Sequence, residues 1–274
     1  MIARIAAVTA IELRIAVRNR WVAVASALMV LFSLALTFAG SAPTGALGVD
    51  LLTVSVASMT TLSVYLVPLL ALLLAFDAIA GEVERGGMAL ILTYPVTRGE
   101  LLMGKFVAHI AALALAIAIG FGMSGLSAWA AGGAGSHSLV ALARLTGSAV
   151  VLGATFLAIG YALSALARSP GAAAGLAISV WVVFVVLYDL GLLGALVYDS
   201  DGTFARRIFP WLLALNPADA FRLFNLAGSD QLALATGLTG AATAIPAWAA
   251  AVSLGVWPVA AMVLAWLALR RVEP

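Results

Sequence analysis

The sequence has 274 residues, of which 64% are hydrophobic and only 9% are Asp, Glu, Lys or Arg, and its mean hydropathy is +1.15. Soluble domains carry about a quarter charged residues, so this composition excludes a soluble globular fold. The net charge of +2 comes from basic residues at the ends of apolar runs, which is typical of membrane topology signals rather than of nucleic-acid binding. The chain has no cysteine, which excludes disulfides and thiolate chemistry.

Residues 1–20 predict a helix that lies in the membrane interface. Arg4, Arg14 and Arg18 fall on one side of a helical wheel, and the opposite side is apolar, with Ile2, Ala6, Leu13 and Val17. A basic amphipathic pattern of this kind is typical of an interfacial helix. A helical extension of the first membrane span is the alternative, because so short a window gives this pattern easily.

Six apolar runs follow, each near the roughly 20 residues that a helix needs to cross the hydrocarbon core. They predict an all-α membrane bundle with one transmembrane domain over residues 1–274, rather than a barrel of short alternating strands. The predicted spans are 21–38, 52–76, 106–131, 145–167, 172–193 and 246–269. Ten Lys and Arg residues on the side of the N-terminus, against four opposite, predict that both termini are cytoplasmic.

No ionisable residue is predicted at the centre of a span. The candidates all fall near predicted helix ends: Asp77, Lys105, His109, Arg144, Arg168 and Asp189. Ion-coupled carriers and intramembrane enzymes keep such residues at mid-bilayer, so neither class is favoured. We therefore expect the energy for any transport to come from another subunit. His109 and His137 lie far apart on this topology, and no metal site is predicted.

The segment 77–105, between the second and third spans, is the most informative part of the sequence. It begins with acidic residues, continues with apolar ones, stops at Pro95 and restarts at Thr97, where Glu100 completes a capping box. Residues 99–105 match the first seven positions of a phosphate-binding P-loop, but Phe106 replaces the Ser or Thr that holds magnesium, so we expect no nucleotide here. The segment is either a docking element or a solvated loop with helical ends.

The same segment resembles the inner loop of the ABC-2-type transporter permeases. The matching positions are Gly81, Glu82, Glu84, Arg85, Gly86, Leu90, Leu92, Pro95, Arg98, Gly104 and Lys105. Gly87 departs from the family, which usually has Thr or Ser there. The resemblance implies an ABC-2-type permease fold in a bacterial inner membrane, two permeases and two cytoplasmic ATPases per transporter, and a coupling helix that docks on the ATPase.

The resemblance also implies a division of labour between subunits. ATP and magnesium would be bound by the ATPases, and this chain would hold no cofactor and no catalytic residue. The residues implied to transmit the ATPase motion are Gly81, Glu82, Glu84, Arg85, Pro95, Arg98 and Lys105.

The outer segment 196–244 is long for a loop and is therefore predicted to contain short helices. Asn216 as N-cap, Pro217 at the first helical position, Asp219 in the first turn and Gly228 beyond the end predict one of them. The apolar surface of this helix either packs on the chain's own bundle or forms a docking platform for a periplasmic partner.

Residues 209–211 (Phe-Pro-Trp) and 216–226 resemble the permeases of nitrous oxide reductase maturation systems. The resemblance implies a homodimer in complex with a NosF-like ATPase and a NosD-like periplasmic protein. It further implies export of a sulfur species or copper for the copper centre. If the outer helix is a docking platform, the residues predicted to contact the periplasmic partner are Asn216, Asp219, Phe221, Arg222 and Phe224. A membrane anchor that moves no substrate, and an ABC-2 permease for an unrelated substrate, stay open as alternatives.

Overall fold

The computed structural model describes residues 1–18, 20–39, 50–131, 133–226 and 246–272, and every regular element in these ranges is helical. The α-helices are α1 (Ile2–Arg18), α2 (Arg20–Ala39), α3 (Leu51–Ala75), α4 (Ala80–Glu84), α5 (Gly87–Ile91), α6 (Arg98–Ala130), α7 (Ser136–Leu166), α8 (Pro170–Val182), α9 (Tyr188–Val197), α10 (Phe209–Leu215), α11 (Pro217–Leu226) and α12 (Ala247–Leu269). A π-helical turn, Val183–Leu187, joins α8 to α9, and a second one, Phe204–Ile208, precedes α10.

Within the described part of the chain, five helical stretches are long and apolar enough to cross a membrane. They are Leu51–Glu84, Arg98–Ala130, Ser136–Leu166, Pro170–Val197 and Trp248–Leu269. They correspond to five of the six predicted spans. The remaining predicted span coincides with α2, a helix of 20 residues. Its role as a sixth span stays a prediction.

Several helices extend beyond the bounds of the predicted spans, because each helix continues past its apolar part. Thr97 and Glu100 form the expected capping box, so α6 begins at Arg98 rather than near residue 106. The next helix likewise begins at Ser136, and the fifth span runs to Val197. Lys105, Arg144 and Asp189 therefore lie inside helices instead of at their ends.

Close helix packing through small residues forms the core. The most extensive contacts join α3 to α7, α7 to α12, and α6 to both α1 and α2. A Cβ on Gly120 of α6 would lie 2.8 Å from Met29 Cβ of α2, and a Cβ on Gly160 of α7 would lie 2.5 Å from Ala75 Cβ of α3. Such contacts are typical of membrane helix pairs, in which small residues let the backbones approach.

Met1 and the end of α12 lie at the same end of the bundle, which we call the terminal end. The Met1 ammonium lies 3.9 Å from Glu100 Oε1, near the start of α6. Arg98 Nη1 donates to the carbonyl oxygens of Leu269 (2.9 Å) and Arg270 (3.1 Å), at the end of α12. The start of the chain thus lies near the end of α12, and the cytoplasmic location of both termini stays a prediction.

The face that α1 buries differs from the predicted apolar face. Ile5, Val8, Glu12 and Ala16 face the bundle, and Ile2 is 81% exposed. The approach to α6 is close at Gly104, where Thr9 Oγ1 donates to the Gly104 carbonyl (3.2 Å). The charge on Glu12 thus points inward, toward a partner on α6.

Candidate functional site

A buried ion cluster joins three elements at the terminal end. Lys105 Nζ on α6 lies 2.6 Å from Glu12 Oε1 on α1 and 3.1 Å from Glu82 Oε1 on α4. The Lys105 side chain is only 4% exposed. We call these three residues the Lys105 cluster. Because a buried charge is stable only when paired, the cluster fixes α1 and α4 against α6.

The start of α4 is attached to α7 by a second contact. Ser164 Oγ accepts hydrogen bonds from the backbone N–H groups of Ile79 (3.0 Å) and Ala80 (2.9 Å), and donates to the Phe76 carbonyl (2.6 Å). These backbone groups lie at the junction of α3 and α4, where helical bonding is interrupted. Ser164 is not among the predicted site residues, because its only signal in the sequence is a small polar residue near the end of an apolar run.

Two adjacent glycines shape the segment between α4 and α5. Gly86 adopts a left-handed conformation with φ of 71°, which separates the two short helices. A Cβ on Gly87 would collide with Glu82 Oε2. The departure from the Thr or Ser usual at position 87 therefore leaves room for the Glu82 carboxylate.

The structure divides the predicted coupling residues into two groups. Glu84, Arg85 and Pro95 are exposed, and Arg85 Nη1 lies 3.2 Å from Asp77 Oδ2. Gly81 is buried, and a Cβ there would collide with the Asp77 carboxylate. The buried or half-buried charged residues of the set are Glu82, Arg98 and Lys105.

Only some of the charged residues predicted to transmit the ATPase motion are therefore accessible to a partner surface. Glu82 and Lys105 pair with each other inside the chain, and Arg98 binds the end of α12. The side chains left for a partner surface include Glu84 and Arg85, together with Leu90 (65% exposed) and Tyr94 (64% exposed). His109, one turn beyond Lys105, is paired as well: the Tyr161 hydroxyl lies 2.6 Å from its Nδ1.

A second ion cluster connects α9, at the end of the fifth span, to α11 of the outer segment. Arg222 Nη1 lies 2.9 Å from Asp219 Oδ1, and Arg222 Nη2 lies 3.3 Å from Asp189 Oδ2. We call these residues the Arg222 cluster. Burial raises the pKa of Asp219 to about 7; Arg222 opposes this shift and the nearby Asp189 adds to it.

The structure confirms the predicted role of Asn216 as the N-cap of α11. Its Oδ1 accepts from the Ala218 N–H (2.8 Å), and its Nδ2 donates to the Phe184 carbonyl (2.7 Å) inside the first π-helical turn. The Tyr188 hydroxyl donates to the Leu212 carbonyl (2.7 Å). The outer segment is thus attached to the fifth span at several points.

The residues predicted to bind a periplasmic partner lie mostly inside the chain. Asn216, Asp219 and Phe221 are buried, and Phe221 is 0% exposed. Phe224 is half-buried, with the Arg144 guanidinium 6.0 Å from its ring centroid. The alternative that this helix packs on the chain's own bundle is therefore correct for Phe221. Gly228 and the rest of 227–244 lie outside the described residues.

The fold and the terminal-end segment define a class of membrane protein, and a comparison with known families agrees. Residues 6–273 match the family described as ABC-2 family transporter protein, and the chain belongs to that family. It is thus a multi-pass permease subunit of an ABC transporter, a system whose ATPase activity resides in separate subunits.

Two curated relatives show which members of the family this chain resembles. It is 44% identical over 264 residues to the probable ABC transporter permease protein NosY of Pseudomonas aeruginosa. It is 42% identical over 264 residues to the protein of the same name from Stutzerimonas stutzeri. Each match covers 95% of this chain and 95% of the relative.

Proposed function

We propose that this chain is the permease of a nitrous oxide reductase maturation transporter in the bacterial inner membrane. Two copies would assemble with two NosF-like ATPases, which bind ATP and magnesium, and with a NosD-like periplasmic protein. This chain would hold no cofactor. The cargo would be a sulfur species or copper needed for the copper centre of the reductase. The identity of 42–44% to NosY permeases over nearly the whole chain carries this proposal.

The Lys105 cluster supports a route by which ATPase motion reaches the membrane. The exposed part of the coupling segment includes Glu84, Arg85 and Leu90, which would contact the ATPase. Behind this surface, Glu82 is held by Lys105 of α6, and the start of α4 is held by Ser164 of α7. A push on α4 would therefore displace two membrane helices together rather than bend a loose loop.

The test uses a bacterium that reduces nitrous oxide. In one strain the gene for this chain is deleted, and in a second strain the ATPase is made unable to hydrolyse ATP. We expect a strain without the chain to make a reductase that lacks its copper centre, measured as copper per purified reductase and as nitrous oxide consumption. A strain with an intact complex but a hydrolysis-deficient ATPase should show the same defect. Normal maturation in that second strain would favour the membrane anchor. Normal maturation in the first strain would favour an unrelated substrate.

A further inference from the structure

The Arg222 cluster contains a carboxylate oxygen without a partner. Asp219 is 2% exposed, and its Oδ2 is buried with no hydrogen-bond donor among the described residues. Its other oxygen binds Arg222, and its carboxyl group lies within hydrogen-bonding reach of the Asp189 carboxyl. The cluster borders a cavity of about 190 Å³ whose other walls are apolar: Leu192, Leu193, Phe209, Leu213, Leu223 and Leu226.

The charges around Asp219 do not balance. Two residues of α9, Asp189 and Tyr188, face the Asp219 carboxyl group. The Tyr188 hydroxyl donates to the Leu212 carbonyl and not to Asp219. Arg144 of α7 donates to the Asn225 carbonyl (2.6 Å). The sequences of α10 and α12 contain no ionisable residue, and Tyr65 of α3 does not line the cavity. Two carboxylates thus share one guanidinium in a buried place.

A buried, unpaired carboxylate is costly, and two adjacent carboxylates next to one cation relieve this cost by taking up a proton. A proton adds no volume and supplies the donor that Asp219 Oδ2 lacks. With it, Arg222 balances the single remaining charge and the cluster is neutral. Without it, the cluster carries one uncompensated negative charge beside an apolar cavity.

We propose that Asp219 and Asp189 form a proton-binding site, and that the shared proton holds α11 against α9. This inference goes beyond the proposed function and does not depend on it. Contacts from Asn216 and Arg222 connect α11 to the helix Pro170–Val197, a candidate membrane span. Loss of the proton would loosen α11 from α9 and open the cavity, so the proton state would control how the outer segment is attached to the fifth span.

The first experiment detects the proton directly, by infrared titration of the full chain in lipid. We expect a protonated-carboxyl band that disappears with a midpoint near pH 7. The band should be absent in Asp219→Asn and retained in Asp201→Asn, which alters an exposed carboxylate. Asp189→Asn should shift the midpoint to lower pH, because Asp219 then has Arg222 to itself.

Several results would overturn the proposal. One is a titration midpoint below about pH 5, as for an ordinary carboxyl. Another is a protonated-carboxyl band that persists in Asp219→Asn. A third is a band that responds to sodium concentration at fixed pH, which would indicate that the site binds a metal cation. If Asp219→Asn fails to fold, an unchanged midpoint in Asp189→Asn overturns the proposal alone.

The second experiment measures the loosening of α11, using the absence of native cysteine. Leu223→Cys places a thiol at the cavity, and Tyr198→Cys places one at an 89% exposed control position. The ratio of their maleimide labelling rates should rise several-fold between pH 6 and pH 8. In the Asp219→Asn background the ratio should stay constant. A ratio independent of pH in the native background would show that the proton does not control this attachment.

Discussion

The ammonium of Lys105 lies 2.6 Å from Glu12 Oε1, although the two residues are 93 positions apart in the chain. Glu82 Oε1 lies 3.1 Å from the same nitrogen. Two carboxylates therefore depend on one buried cation. Removing the cation leaves both carboxylates without their shared partner, whereas removing one carboxylate leaves a pair.

Lys105→Met should therefore destabilise the permease more than either carboxylate substitution. Loss of one partner of a buried ion pair costs roughly 3–5 kcal/mol. We expect a lower thermal midpoint in detergent and a loss of permease-dependent ATP hydrolysis in lipid. Glu12→Gln should have the smaller effect, and Glu84→Gln, at an exposed position, should leave the midpoint unchanged. Equal midpoints for Lys105→Met and Glu84→Gln would contradict a stabilising role for the cluster.

Charge reversal at Glu82 and Glu84 should separate an internal role from a docking role. Glu82→Lys places two cations together in the Lys105 cluster, so we expect a less stable permease even without the ATPase. Glu84→Lys should leave stability intact and weaken ATPase recovery, more so at low salt, since exposed pairs are worth roughly 0.2–1 kcal/mol each. Pull-down of the ATPase with tagged permease at two salt concentrations measures this. Normal recovery with Glu84→Lys would remove that residue from the docking surface.

The close approach of α1 to α6 should make Gly104 sensitive to a single methyl group. A Cβ there would lie 2.5 Å from Val8 Cγ1, and overpacking of this kind typically costs roughly 1–3 kcal/mol. Gly104→Ala should lower the thermal midpoint. The matched control is Gly122→Ala on the same helix. A Cβ at Gly122 would have no atom of a described residue within 4 Å. That substitution should be neutral or stabilising because alanine favours helices.

The outer helix should respond to substitution as part of the core. Phe221→Ala removes a fully buried ring and should cost roughly 3–5 kcal/mol, seen as unfolding of the purified permease rather than selective loss of a partner. Trp211→Ala, at a 53% exposed position, should leave folding intact and is the better test of a periplasmic docking surface. Selective loss of partner binding in a stable Phe221→Ala variant would restore the docking role that the burial argues against.

The free energy of unfolding should depend on pH through the titration of Asp219. Its pKa is raised from 3.8 to about 7, so the folded state binds the proton more tightly than the unfolded state does. The stability that this group contributes is therefore full below about pH 4, falls as the pH rises toward 7, and is constant above that. Asp219→Asn should lack this component. Thermal midpoints of both proteins between pH 4 and pH 8 test the sign, and parallel curves would contradict it.

Local sequence signals were enough to identify the membrane class and several helix ends. The apolar runs predicted five helices that the structure contains as candidate spans, because span length follows from the thickness of the hydrocarbon core. Thr97 with Glu100 and Asn216 with Pro217 marked helix starts correctly, because capping involves residues only a few positions apart. Hydropathy could not locate the polar extensions of these helices, since it responds only to their apolar part.

Only the tertiary structure decided which charged residues face a partner and which face the chain itself. Glu82 and Glu84 are two positions apart and equally charged, yet one is paired with Lys105 and the other is exposed. Phe221 is buried, although its helix pattern suited a docking platform equally well. The outcome depends on the rotation of each helix about its axis, which is set by contacts as distant as Lys105 with Glu12 or Arg98 with Leu269, 171 residues apart. No local pattern carries that information, because packing between helices fixes the rotation.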